Sequence, residues 1–506
     1  MNYKDKGAST IPDIFRHTVS QYPERTAIID GGKYVCYREL LSVEQRLVRH
    51  LVEDHRVLAG QKIALFLPNS MEFILSFLAV AEIGGVAVPL NIGLKEHELL
   101  YYIDKCDITA VITFRSLLSR WGTIPLQEKV IFIFADTWEN SSGHIWSSHI
   151  SDGLIKISPP RPSDAEVVYL GTSGSTGKPR IVSRTHANVI AGAENVGRAL
   201  EVTDEDRFLS ITPFFHANGF SNCMFLPIMY GATVVLMRQF SPRQALSLLK
   251  EKNITVIVGS PFIYSTLADI GDEPLNLPSV RLCLSTGASM PQDLRKSFFE
   301  KFGVKLAQLY GSSEAGTISI ELEDQTIEGS VGTPLARVQL KIIDDKNLEL
   351  PPSQIGEIIV RSPAMMQGYV GEPELCMEIF CHGYFRTGDL GMIDGRGTLY
   401  LSGRKKKFIN ASGIKVDPVE IETVLLSFQK IKEARVVGVY NRRGMEILKA
   451  VLVAQKDCTL QEVVGYCRNR LADFKVPRII EFRDRLPQNI LGKVPGNELT
   501  EAQSLE

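Results

Sequence analysis

A chain of 506 residues exceeds what one hydrophobic core organises, so two or more domains are expected. Its 56 Lys and Arg against 58 Asp and Glu give a formal net charge of −2, which removes any electrostatic reason to expect nucleic acid or an anionic membrane surface as partner. Eight cysteines lie scattered at 36, 106, 223, 283, 376, 381, 458 and 467 without a Cys-x-x-Cys pair, so no disulfide framework or metal cluster is legible and a reducing cytoplasm fits.

The first residues, Met1-Asn-Tyr-Lys-Asp-Lys-Gly7, are polar and lack the apolar stretch of a secretory signal. Apolar residues at 11, 14, 15 and 19 have helical spacing, and Pro23 ends that helix. Residues 27–30 and 33–37 flank Gly31-Gly32 and read as a hairpin. An amphipathic helix over 37–54 follows. The nearly continuous apolar run at 62–67 is then the pattern of a strand buried on both faces. The segment 71–88 is the most apolar of the chain, yet it contains Glu72, Glu82 and Gly84-Gly85. A buried helix running into a strand is expected there, not a membrane span. A helix over 96–105 and a strand over 110–114 complete an alternation that argues for an α/β fold with parallel sheets. Residues 115–163 carry little pattern and read as a variable connection.

Residues 167–170 form a buried strand that delivers the chain into Gly171-Thr-Ser-Gly-Ser-Thr-Gly-Lys178. Gly171, Gly174 and Gly177 let backbone N–H groups approach an anion with no Cβ in the way. Thr172, Ser173, Ser175 and Thr176 add hydroxyl donors, and Lys178 adds a cation, which together equip the loop for a polyphosphate. It is not a Walker A loop, because Thr172 stands five residues before Gly177 and Pro179 follows Lys178 where a metal-binding hydroxyl is required. Taken alone, the loop reads equally well as a flexible surface linker. A strand over 181–185, a helix from 186 and buried strands at 234–236, 256–259 and 282–285 continue the alternation. Beyond Gly403 the scale changes. Helices over 419–428 and 460–471 and strands over 434–440, 448–454 and 478–482 make a small α+β domain of their own. The expected division is a large domain over 1–402 with parallel-rich sheets and a small one over 403–506. The basic run Lys405-Lys406-Lys407 reads as a solvated face.

Further motifs stand in order along the chain: Gln308-Leu-Tyr-Gly-Ser-Ser-Glu314, Tyr384-Phe-Arg-Thr-Gly-Asp-Leu390, Gly403-Arg404 and Gly492-Lys493. With the glycine loop, this ordered set resembles the adenylate-forming superfamily, which includes AMP-dependent acyl- and aryl-CoA synthetases, adenylation domains of peptide synthetases and firefly-type luciferases. The resemblance runs from about residue 11 to about residue 499. It implies a large N-terminal domain of several subdomains and a small, mobile C-terminal domain that brings in a lysine.

The resemblance also assigns roles. The stretch 172–178 (Thr172, Ser173, Gly174, Ser175, Thr176, Gly177 and Lys178) would hold the β- and γ-phosphates of ATP. Glu314 would hold Mg²⁺, a hard cation that wants oxygen ligands. Ser313 takes the place of the usual Thr and would donate to the α-phosphate, with Gly311 beside it and Tyr310 facing adenine. Asp389 would accept both ribose hydroxyls, and Arg404 would contact ribose or phosphate. Lys493 would place its ammonium between the acid and the α-phosphate. Capping for Glu314, a turn for Asp389 and a solvated surface for Lys493 are the readings these residues would have outside such a set. Lys406 matches the hinge position, and Gly413, in Ser412-Gly-Ile-Lys-Val-Asp-Pro418, matches the segment lining the pantetheine tunnel. Phe214-Phe-His-Ala-Asn-Gly219 resembles the element in which His216 gates the acyl tunnel, although a packed core histidine is the alternative. Phe220, Ser260, Phe262, Thr286, Gly287 and Ala288 would line an apolar slot.

Residues 214–223 contain no Asp or Glu. An unpaired substrate ammonium in such a pocket would cost several kcal/mol, so a fatty or aryl acid is expected and an α-amino acid is not. Two positions depart from the family pattern: Arg180-Ile181 stands where Lys-Gly is usual, and Gly496 replaces an Arg. The resulting expectation is a cytoplasmic acid–thiol ligase, monomeric or homodimeric, that uses ATP, Mg²⁺ and coenzyme A. The alternative acceptor is the phosphopantetheine of a carrier protein. A luciferase-like oxygenase has no positive feature in the chain, and retention of Glu314 and Lys493 disfavours a nucleotide-binding regulator without turnover.

Overall fold

The structure is a computed structural model that describes residues 10–94, 96–119, 130–136, 162–172, 179–270, 274–288, 290–322, 329–404, 409–411, 414–416, 418–440, 446–471 and 475–486. The chain divides into two compact units, one made of residues 1–341, 359–387 and 393–400, the other of 342–358, 388–392 and 401–506.

Two sheets dominate the first unit. In one, Thr26–Asp30, Thr233–Leu236, Arg207–Ser210, Val256–Gly259, Leu282–Ser285 and Leu306–Ser312 lie side by side and all parallel. Thr233–Leu236 and Val256–Gly259 are buried at every residue, which explains their unbroken apolar character. Antiparallel strands close both edges: Lys33–Cys36 at one, Gly316–Ile320 and Thr333–Pro334 at the other. The second sheet runs Gly368–Tyr369, Arg180–Thr185, Glu166–Thr172, Val86–Pro89, Lys62–Phe66, Ile108–Thr113, Ile131–Phe134. Its strands from Glu166–Thr172 to Ile131–Phe134 are parallel, and the two at the other end are antiparallel.

The apolar segment at 71–88 is a helix, Met71–Ile83, followed by the strand Val86–Pro89. Ser70 accepts from the Phe73 N–H to start it, and Gly84 stops it in a left-handed conformation at φ 79°. All but one of its residues are buried, so its all-round hydrophobicity is that of a core helix. Among the described residues no helix is long and apolar enough to cross a membrane.

Two features escape the sequence pattern. The stretch 115–163 contains a short helix, Arg115–Leu118, and an edge strand, Ile131–Phe134, of four residues each, too short for periodicity to register. After the Phe-His motif the chain forms a π-helical turn, Gly219–Phe225. In the second unit, Ile431–Tyr440 pairs antiparallel with Glu446–Ala454, which pairs parallel with Ile479–Phe482. Helices Pro418–Leu426 and Leu460–Arg468 contribute Ile421, Leu425, Val463 and Cys467 to the core on this sheet. Parallel-rich sheets in a large unit beside a small α+β unit fulfil the expected fold class.

Candidate active site

The strand Glu166–Thr172 leads into the glycine loop and Arg180–Thr185 leads out of it. The two pair antiparallel, with Thr172 opposite Arg180. The loop's mouth is therefore held at both ends by one ladder. Gly171 is required by a close approach: a Cβ there would stand 2.6 Å from the Tyr102 hydroxyl. Ser173 to Lys178, the bulk of the expected phosphate cradle, lie outside the described residues.

Glu314 sits at the tip of the hairpin formed by Leu306–Ser312 and Gly316–Ile320. Tyr310 and Gly311 are on its first strand, and Tyr310 is buried. A Cβ on Gly311 would come within 2.4 Å of the Gly316 carbonyl oxygen, so the two strands meet only because 311 is glycine. Ser312 Oγ accepts from the Ala315 N–H at 3.1 Å, closing the turn locally. Two residues anchor the turn from outside. Arg184 donates from Nε (3.2 Å) and Nη2 (2.6 Å) to the Ser313 carbonyl. Tyr369 donates from its hydroxyl to Oε1 of Glu314 at 2.7 Å. Arg184 is fully buried, and burial lowers its guanidinium to about 10 while the nearby Glu314 carboxylate opposes the shift, so it stays charged at neutral pH. Tyr369 has its phenol pushed up by burial and by Glu314, and it remains a donor.

Both anchors belong to the scaffold that carries the glycine loop. Arg184 is on the exit strand, and Tyr369 is on the short strand Gly368–Tyr369 that pairs with it. Arg180, at the first position of the exit strand, places its guanidinium 5.4 Å from the Tyr369 ring centre. Neither Arg184 nor Tyr369 is marked by a local motif. Arg184 stands in the polar end of the strand Arg180–Thr185, where a charged residue draws no notice.

The Phe-His element is fixed by Asn69. Its Nδ2 donates to the carbonyls of Ser210 and Thr212, each at 3.0 Å, and its Oδ1 accepts from Phe214 N–H at 2.8 Å. The His216 ring lies against Phe215 at 4.2 Å between centres, and its carbonyl accepts from Phe220 N–H at 2.8 Å. Phe220 is 0 % exposed and meets Phe77 edge-on at 4.7 Å, so it belongs to the core around helix Met71–Ile83. Ser260 precedes helix Pro261–Ala268. Phe262, on that helix's first turn, is 59 % exposed and borders solvent. Gly287, at φ 86°, and Ala288 are exposed; a Cβ on Gly287 would meet nothing within 4 Å. Asn222 joins this element to the Glu314 hairpin by donating to Asn218 Oδ1 at 2.8 Å and to Thr317 Oγ1 at 3.4 Å.

In the second unit, Asp389 and Arg404 lie on the neighbouring strands Tyr384–Ile393 and Leu399–Arg404. Arg404 Nε donates to Asp389 Oδ1 at 2.7 Å, so the two residues expected at ribose form one charged pair. Lys406, Gly413 and Lys493 lie outside the described residues.

Comparison with known proteins finds relatives that match over nearly the whole chain. The family model described as AMP-binding enzyme matches residues 15–370, and that described as AMP-binding enzyme C-terminal domain matches residues 420–493. The 2-succinylbenzoate–CoA ligase of Bacillus subtilis (strain 168) is 31% identical over 489 residues, covering 96% of this chain and 96% of the relative. The long-chain-fatty-acid–CoA ligase of the same organism is 28% identical over 531 residues, 98% of this chain and 95% of the relative. Among solved structures, the O-succinylbenzoate coenzyme A synthetase of Bacillus subtilis with ATP and magnesium ion matches with TM-score 0.83 and 29% identity, covering 96% of this chain and 98% of that one. With AMP the same enzyme matches with TM-score 0.85 and 30% identity, covering 97% of this chain and 99% of that one.

Proposed function

Starting from the fact that the chain belongs to the AMP-binding enzyme family, we propose that the residues assembled above divide one acid–CoA ligation between them. The enzyme is an AMP-forming acyl-CoA synthetase. A carboxylate is a poor electrophile because its oxygen leaves badly. Its oxygen therefore attacks the α-phosphorus of ATP, pyrophosphate leaves, and the acyl-AMP then yields its acyl group to the sulfur of CoA with AMP as leaving group. Holding two anions together and excluding water is chiefly a matter of positioning and electrostatics.

The observation that carries the site reading is the tie between Glu314 and the loop scaffold through Tyr369 and Arg184. A carboxylate oxygen donor held by a phenol on the scaffold that carries the glycine loop suits a hard dication, so Glu314 is the residue that would hold Mg²⁺. When bound, that ion neutralises phosphate charge. Thr172 to Lys178 receive the outer phosphates, Ser313 and Gly311 border the α-phosphate, and Tyr310 packs by adenine. Asp389 and Arg404 take the ribose as the pair they already form. Residues 403–506 are the domain that delivers Lys493, the last residue of the C-terminal family match. Lys406 is its pivot, and Gly413 lets the pantetheine pass.

His216, Phe220, Ser260 and Ala288 receive the acid. Phe262 forms its solvent-side margin. Residues 214–223 hold no carboxylate, and the neutral amides of Asn218 and Asn222 do not balance a substrate ammonium, which supports a fatty or aryl acid over an amino acid. The test is pyrophosphate release across aliphatic, aryl and amino acids, with CoA, with phosphopantetheinylated carrier protein, and with neither. Acid-dependent release with acyl-CoA accumulation is the expected result. Amino-acid-dependent release would overturn the pocket assignment, and acyl transfer to the carrier alone would replace the acceptor.

A further inference from the structure

We propose that Tyr369 is a positioning residue that reserves one oxygen of Glu314, so that the carboxylate meets the cation of the metal–nucleotide complex through a single oxygen and the site favours Mg²⁺ over Ca²⁺. This rests on Glu314 being the metal ligand.

The phenol and the carboxylate are bound at 2.7 Å, within the range of a charge-assisted O–H···O⁻ bond. Tyr369 is buried. The backbone repeats the restraint, because Met366 N–H donates to the Glu314 carbonyl at 2.7 Å. Segment 366–369 thus grips Glu314 at both main chain and side chain. The ring itself is fenced. The backbone N–H of Tyr369 donates to Cys376 Sγ at 3.1 Å, and Arg180 lies over the face of the ring. Arg180 is held in turn toward Glu372, whose other oxygen pairs with Lys105 at 3.3 Å. The phenol therefore has little freedom to swing away when a cation arrives.

An oxygen engaged by a short phenolic hydrogen bond is a poor second ligand, so bidentate chelation requires that bond to break. Mg²⁺ loses nothing by this. It holds a strict octahedron at about 2.0–2.1 Å, keeps several waters and takes carboxylates one oxygen at a time. Ca²⁺ accepts six to eight oxygens and gains from bidentate carboxylates. The hydroxyl is thus a discriminator built into the protein side of the metal site, and its removal should benefit the larger ion.

The experiment is calorimetric binding of ATP in excess Mg²⁺ or Ca²⁺ with no acid present, so that turnover plays no part. Wild type should bind the Mg²⁺ complex more tightly. Tyr369→Phe, which keeps the ring and its packing, should narrow the Mg²⁺/Ca²⁺ affinity ratio about tenfold, the scale of one hydrogen bond to a charged group. An unchanged ratio in a variant that melts like wild type overturns the proposal, and so does equal weakening with both ions. Glu314→Gln separates this failure from that of the metal assignment. It should weaken ATP binding with either ion, and no effect with either would remove Glu314 from the metal and the proposal with it.

Discussion

Arg184 combines two opposed effects in one side chain. A fully buried guanidinium carries a desolvation cost, yet its two N–H groups satisfy the Ser313 carbonyl and hold the turn that presents Glu314. Arg184→Met relieves the first term and leaves the carbonyl without its donors, so the terms nearly cancel in stability. The expected change is within about 2 kcal/mol, while acid-dependent ATP–pyrophosphate exchange falls about tenfold or more because the Glu314 turn loses its tie. Thermal melts and the exchange assay measure the two separately. This residue also marks the limit of what the sequence discloses about the site. Glu314, Ser313, Asp389 and the glycine loop could be named as candidates because they stand in short motifs. Arg184 and Tyr369 act on the hairpin from 129 and 55 positions away, and only the strand pairing that brings Arg180–Thr185 and Gly368–Tyr369 together reveals them. The pairing of Arg404 with Asp389 was equally hidden, since both were assigned to a ligand and not to each other.

At the scale of elements, the helices Ile11–Gln21, Tyr37–Glu53 and Met71–Ile83 pack on one another and bury Glu44. Burial, with Glu82 adding and Arg16 opposing, raises the Glu44 carboxyl from 4.5 to about 8. The native state therefore holds a proton that the unfolded chain releases above about pH 4.5. Stability from this group is fully present below that pH and is lost as pH rises through about 8, by roughly 3 kcal/mol between pH 5 and 8. Glu44→Gln, which fixes the neutral form, should remove that slope from a series of denaturant melts; an unchanged slope would mean that Glu44 is ionised in the native helix. These helices were readable because their apolar spacing and stops are local. The hairpin edge Lys33–Cys36 was readable from Gly31-Gly32, but the antiparallel strands Gly316–Ile320, Thr333–Pro334 and Gly368–Tyr369 and the π-helical turn Gly219–Phe225 were not, because a strand's partner and an extra residue in a helical turn leave no mark on periodicity.

For the whole molecule, the proposed division of labour makes the two half-reactions separable. Lys493→Ala should abolish acyl-AMP formation while leaving thioester formation from supplied acyl-AMP largely intact, because its charge serves an encounter of anions that the preformed adenylate has already passed. Pyrophosphate exchange at near wild-type rate would sink that role. Lys406→Pro fixes φ at a position proposed to visit two backbone states. Exchange should stay near normal while thioester output drops by about two orders of magnitude; equal loss in both assays would signal misfolding, and no loss would move the pivot. Phe220 gives the acid site a different kind of constraint. With the acid placed as proposed, one wall of the site is a side chain that also packs against Phe77 in the most deeply buried helix of the first unit. Trimming it to admit a bulkier acid would open a void in the folding core and cost about 3–5 kcal/mol. Gly287, Ala288 and Phe262, by contrast, are exposed and have less packing to lose. Substrate range in this lineage is therefore free to drift along the solvent-side margin, whereas any drift through Phe220 must be preceded by stabilising changes elsewhere, so the order in which substitutions accumulate is set by where the pocket touches the core.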